Sequence, residues 1–163
     1  MHKAYIKKYR TVYSKIDFAS TTLKEQFVEI KASVENGKVP VTVMHVTGNI
    51  DSATHEAFAA KADELIQNGA SHILVDLSQT ASISSAGLRA LHIIIKRLRA
   101  LYPDIDLSEA EYKKRISTGA YKSPHIKLLN LSEEAKIAFT LSGFDMFIET
   151  YTNLSTAIAS FQH

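Results

Sequence analysis

The chain has 163 residues, 45% of them hydrophobic and 22% charged, which is enough for one domain with an ordinary core, or for one domain and an added segment. A net charge of +2 is too small to point to nucleic acid as a partner, and the absence of cysteine excludes disulfides, thiol nucleophiles and thiolate metal sites. No apolar run approaches a bilayer span and the N-terminus lacks the apolar core of a secretory signal, so a soluble, cytoplasmic protein with no membrane span is expected.

Residues 1–26 place Ile6, Tyr9, Tyr13 and Ile16 at helical spacing among Lys3, Lys7, Lys8, Arg10 and Lys15. This predicts a basic helical extension that covers part of the domain; a membrane surface or a partner is the less common use of such a helix. From Phe27 the pattern alternates, with Val28, Ile30, Ala32 and Val34 on one face. Asn36-Gly37 then predicts a two-residue turn with positive φ, and residues 39–47 return as the second strand of an antiparallel hairpin. Pro40 implies that this strand is unpaired on one side near its start. Asp51 is the expected N-cap of a helix running to about Asn68, with Phe58, Ala62, Leu65 and Ile66 inward and Gly69 as its stop.

Ile73-Leu74-Val75 and Leu77 form a run too continuously apolar for a strand with one wet face, so a central strand buried on both sides is expected. After a polar link comes Ile83, then Ser84-Ser85-Ala86-Gly87, and from Leu88 the spacing turns helical through Leu91, Ile94, Ile95 and Leu98. Two serines therefore stand where a strand hands over to a helix, beside unpaired N–H groups and the positive end of the dipole. The strand–helix–strand order makes the second and third strands parallel neighbours.

Residues 102–123 are polar, charged and bounded by Pro103 and Pro124, which predicts a solvated insertion. Within it Ser108 and Glu111 have the spacing of a capping box. A strand at residues 125–131 follows, then a helix capped by Ser132 with Ile137, Ala138 and Leu141 inward. Residues 146–151 are the expected last strand, and Leu154, Ala157, Ile158 and Phe161 are the stripe of a closing helix capped by Thr152 or Asn153.

Most catalytic motifs are missing. His55-Glu56 begins like a zinc-protease helix, but Ala59 stands where the second histidine belongs. No GxxxxGK[ST] or glycine-rich dinucleotide turn occurs, and Ser85 is not in GxSxG. Asp76 resembles the phosphoacceptor of a receiver domain, yet the last strand ends Glu149-Thr150-Tyr151, without the lysine such domains need; a turn cap is the better expectation for it. No catalytic residue, cofactor or metal site is therefore expected, and the protein is expected not to be an enzyme.

Three blocks, VTGNIDSATHEAF (46–58), HILVDLSQTASISSAGLRAL (72–91) and IKLLNLSEEAKIAFTLSGFDMFIE (126–149), resemble the signature blocks of STAS domains, and among these the anti-sigma factor antagonists. The resemblance implies an α/β fold: a STAS-like mixed sheet of four to five strands with an N-terminal antiparallel hairpin and helices mainly on one face. It covers about Phe27 to Phe161 apart from the insertion, and the STAS domain it implies spans residues 27–163, with the insertion at about 102–123. It also implies a binding module that sequesters a switch kinase until one serine is phosphorylated. The partners implied are an anti-sigma factor that is also a serine kinase of the histidine-kinase-like ATPase fold, and a serine phosphatase; nucleotide and metal belong to them. The family pattern at the turn, Asp-Ser-Ser/Thr-Gly-Leu, falls on Ser84, Ser85, Ala86, Gly87 and Leu88. Ser84 replaces the aspartate and Ala86 the second hydroxyl residue, so Ser85 matches the phosphoacceptor and Ser84 is the alternative.

The expected partner face joins Asp51 and Thr54, at the start of the neighbouring helix, to Ser84, Ser85, Ala86, Gly87 and Leu88, with Gly87 leaving the first helical turn open to the partner. A phosphate on Ser85 would sit beside a helix N-terminus that tolerates it, whereas a docked partner would not. The plainer role of either serine is an N-cap. The rival functions are a constitutive STAS scaffold and a small-ligand or lipid sensor that uses the hydrophobic interior.

Overall fold

The computed structural model describes residues 27–104 and 106–162, so the expected N-terminal helix lies outside the described residues. Five strands form one sheet in chain order: β1 (Glu29–Asn36), β2 (Pro40–Thr47), β3 (Ile73–Gln79), β4 (Ile126–Leu129) and β5 (Thr150–Tyr151). β1 and β2 are the antiparallel hairpin, and every later pair is parallel. Helices α1 (His55–Gln67), α2 (Ser85–Leu101), α3 (Glu109–Thr118), α4 (Glu133–Leu141) and α5 (Leu154–Ser160) connect or follow the strands. The expected fold class is the observed one.

β3 is buried on both sides because successive side chains feed two cores. Ile73, Val75 and Leu77 join Met44, Val46, Ile126 and Leu128 beneath α1, α2 and α4. Leu74 joins Val41, Val43 and Leu129 beneath the short α5, through Ala157, Ile158 and Phe161. The α2 stripe is as expected: Leu88, Leu91, Ile94, Ile95 and Leu98 are all buried.

Four expectations are corrected. The hairpin turn has three residues, Gly37 to Val39, and neither Asn36 nor Gly37 has positive φ. Glycine is needed at 37 for another reason: a Cβ there would stand 2.8 Å from Ile158 Cγ2 on α5. On α4 the buried residues are Ala135 and Phe139, while Ile137 and Leu141 are exposed by 61% and 83%. The last strand shrinks to Thr150–Tyr151, because Phe144–Met146 winds into a 3-10 turn after Gly143 at φ +79°. Asp51 stands before the first turn of α1, which is capped positionally by Thr54.

The insertion is ordered. The Ser108–Glu111 capping box is present, with Gly119 in the left-handed conformation as the helix stop. Although α3 has no buried residue, Tyr121 and Ser123 behind it are buried. Pro40 precedes the stretch of β2 paired to β3, which begins at Thr42.

Candidate functional site

Because β2 and β3 are parallel neighbours, the loops leaving their C-terminal ends run side by side, and hydrogen bonds join them. Gly48 N donates to Gln79 O (3.0 Å), Ile50 N to Ser82 O (3.2 Å) and Ser84 N to Ile50 O (2.9 Å). Ile50 and Ile83 form a parallel bridge. Side chains complete the frame: Ser82 N donates to Asn49 Oδ1 (3.2 Å), the buried Thr80 hydroxyl to Val46 O (3.2 Å), and Ser132 Oγ, at the start of α4, to Ala81 O (2.6 Å). The starts of α1, α2 and α4 are thus tied to one another, and satisfied backbone groups hold the Ser84–Ser85 turn in place. Sequence reasoning missed Asn49, Thr80, Ser82 and Ser132 as parts of this frame; their partners lie 33, 34 and 51 positions away, beyond any local pattern.

Asp51 Oδ1 accepts from the N–H groups of Ala53 (2.9 Å) and Thr54 (3.2 Å), so its carboxylate closes the turn that leads into α1. The Thr54 hydroxyl donates to Asn49 O at 2.6 Å and accepts from Asp51 N at 2.9 Å. The expected closeness of this helix start to the serine turn is observed.

Ser84 is the N-cap of α2, its hydroxyl accepting from Gly87 N at 3.4 Å. Ser85, the first helical residue, is exposed, and its hydroxyl makes no hydrogen bond among the described residues. The N–H groups of Ser85 and Ala86 have no acceptor within the helix. The turn thus divides two roles: Ser84 is half-buried and caps, whereas Ser85 is presented to solvent. Gly87 is buried, and a Cβ there would stand 2.6 Å from Ile50 O and 2.8 Å from Ile83 Cγ2. It lets α2 close onto the Ile50 loop and does not face outward as expected. Thr54 and Leu88 are likewise buried. Of the seven residues expected on a partner face, Ser85 is exposed, Asp51, Ser84 and Ala86 are half-buried, and Thr54, Gly87 and Leu88 support the turn from beneath.

On the other sheet face, Ser33 Oγ lies 3.0 Å from His45 Nε2, and His45 Nδ1 lies 3.1 Å from Asp76 Oδ2. Asp76 thus does more than cap a turn, although Oδ1 also accepts from Ser78 N at 3.1 Å. The order is that of a hydrolytic triad. Yet Ser33 stands in mid-strand on β1, paired with Val43, and not on a strand-to-helix turn, so we describe this chain as a staple across three strands. Among the described residues no group of three or more His, Cys, Asp or Glu side chains could hold a metal ion, and no helix is long and apolar enough to cross a membrane.

Residues 35–112 match the family model described as "Mlab, STAS domain". No curated protein sequence matches the chain. Among solved structures the chain is similar to an anti-sigma factor antagonist from Mycobacterium paratuberculosis, at 18% identity and a TM-score of 0.57, covering 83% of this chain and 96% of that one. It is also similar to the anti-sigma factor antagonist SpoIIAA in its unphosphorylated form, at 18% identity and a TM-score of 0.56, covering 80% and 93% of the two chains. For the Bacillus cell fate determinant SpoIIAA in the phosphorylated form the values are 18%, 0.51, 80% and 96%. Residues 35–112 thus match a STAS domain model, and the chain has the fold of the anti-sigma factor antagonist structures to which it is similar.

Proposed function

We propose that the protein is a phosphorylation-controlled binding module, an anti-sigma factor antagonist in a partner-switching pathway with no chemistry of its own. The carrying observation is the exposed Ser85 hydroxyl, set on a turn whose backbone is fixed by Ile50. A partner kinase of the histidine-kinase-like ATPase fold transfers the γ-phosphoryl group of ATP to Ser85 Oγ, the hydroxyl proton leaving to solvent or to a base on the kinase. A serine phosphatase reverses the step by hydrolysis. These reactions place the protein in the cytoplasm, with its ATP-using partner. That one similar structure is of a phosphorylated antagonist supports the reading.

The added charge of about −2 meets the free N–H groups of the first turn and the positive end of the α2 dipole. Arg89, exposed four residues further along the same helix face, makes no ion pair among the described residues and can pair with the phosphate. The folded domain therefore tolerates the modification. A partner packed over the turn meets new bulk and an anion stripped of water; a loss of about 3 kcal/mol lowers affinity more than a hundredfold.

Intact-mass analysis after incubation with the kinase encoded nearest to this gene, plus ATP, tests the reading. One added phosphate is expected, retained in Ser84→Ala and lost in Ser85→Ala, together with release of the kinase from the phosphorylated form. Kinase binding without phosphate on either serine would leave a constitutive scaffold.

A further inference from the structure

The insertion borders a partly open cavity of about 420 Å³ between α2 and α3, within the range of small-ligand sites. Its apolar wall includes Ile95, Ile116, Tyr112, Tyr121 and Phe147. Apart from the hydroxyls of the two tyrosines, its polar lining is cationic or basic: His92, Lys96, Arg99 and Lys113. Lys96 and Lys113 form no ion pair among the described residues. Arg99 lies with its guanidinium carbon 3.3 Å from the Tyr112 ring centroid and reaches Glu109 at 3.3 Å, a pair that is largely solvent-exposed on the glutamate side. Its Nε is buried without a hydrogen-bond partner, an unmet donor in the cavity wall. The Tyr121 hydroxyl is already directed to Asp104 Oδ2 at 3.4 Å.

An apolar chamber rimmed by cations with no carboxylate in its lining selects an amphiphile with one acidic end. We propose that the insertion makes this STAS domain a receptor for an alkyl-chain carboxylate, the tail lying among Ile95, Ile116 and Phe147 and the carboxylate meeting Lys96, Arg99 and Lys113. The site is distinct from the serine turn, since it lies on the C-terminal half of α2, and the proposal does not depend on the switch.

Titration calorimetry of the full chain with dodecanoate, below its micelle concentration, tests this. One-to-one binding is expected, with the uncharged dodecanol binding about tenfold more weakly. The double variant Lys96→Gln/Lys113→Gln should lose about tenfold for the acid and little for the alcohol, since each exposed pair contributes modestly. Ile116→Trp, which fills the chamber from a half-buried position, should abolish binding of both while the far-ultraviolet circular dichroism is kept. Equal affinity for acid and alcohol, or undiminished binding in Ile116→Trp, would overturn the proposal. So would binding to phosphatidylglycerol vesicles with none to free dodecanoate, which would show a membrane surface in its place.

Discussion

A Cβ placed on Gly87 would stand 2.6 Å from the carbonyl oxygen of Ile50, and that same oxygen accepts the N–H of Ser84 at 2.9 Å. One backbone group thus fixes both the start of α2 and how closely that helix approaches the neighbouring loop. Gly87→Ala has to push α2 off the loop, since the obstructing atom is backbone and cannot rotate away. We expect a loss of about 1–3 kcal/mol of stability in urea unfolding, as for overpacked cores. Phosphorylation by the proposed kinase should slow as well, because the turn proposed as its target is displaced. An unchanged midpoint would show that the helix start is freer than this geometry implies.

The two serines are expected to separate stability from function. Ser84→Ala removes the cap of α2 and should cost about 1 kcal/mol. It should leave the phosphoacceptor in place. Ser85→Ala changes an exposed first-turn position and should stay within about 0.5 kcal/mol of the parent, yet abolish the added mass. Ser85→Asp should bind the kinase far more weakly while its Tm stays close to that of the parent. Thermal melts and a pull-down on the same four proteins decide the matter; a large Tm loss in either Ser85 variant would make that hydroxyl structural.

Local rules read most of this fold correctly where the signal lies within one element. The α2 stripe from Leu88 to Leu98 and the Ser108–Glu111 box each need only a few neighbouring residues, and both are observed. The α4 stripe misled because nine residues offer two faces. Ile137 and Leu141 look inward by spacing, but Ala135 and Phe139 are the residues that meet the core, a choice between faces that depends on how the helix docks on the sheet. Gly37 was legible as a glycine-requiring position, though not for its reason: Ile158 on α5, far along the chain, takes the space. At the serine turn the two hydroxyls were visible, whereas the division of labour between them depends on burial and on Ile50.

Lys127, paired with Leu74 across the centre of the sheet, is buried, and its ammonium reaches Glu149 Oε2 at 2.9 Å and Ser160 O at 3.1 Å. Partial burial pushes the Glu149 carboxyl up, but the hydrogen bonds from Lys127 and Tyr151 outweigh it and hold the group below the ordinary carboxylate range. A carboxyl with a lowered folded pKa contributes stability that is present above its unfolded pKa and is lost as the pH falls through the folded one. Glu149→Gln should therefore cost about 2 kcal/mol near neutrality, less than the ~3–5 kcal/mol of a fully buried pair because Glu149 is partly exposed. The gap in Tm between parent and variant should close in acid. A gap that is constant down to pH ~2 would mean that packing and not charge holds the two strands.

Tyr121 sits behind α3 with its ring edge-on to Tyr112, 4.9 Å between centroids, and its hydroxyl toward Asp104. Burial first, then the Asp104 carboxylate, push its phenol well above the usual tyrosine value. A group whose folded pKa is raised contributes stability fully below its unfolded pKa and loses it as the pH climbs through the folded one. The insertion should therefore be docked at neutral pH and loosen only in strong alkali. Ultraviolet titration of the phenolates should show exposed tyrosines ionising near pH ~10 and a later step that Tyr121→Phe diminishes. Tyr151, whose phenol burial also pushes up, contributes to that step, so its amplitude should shrink but not vanish in the variant. If Tyr121→Phe leaves the late step undiminished, the phenol is open to water, and neither the docking of α3 nor the apolar wall that Tyr121 gives the cavity can stand.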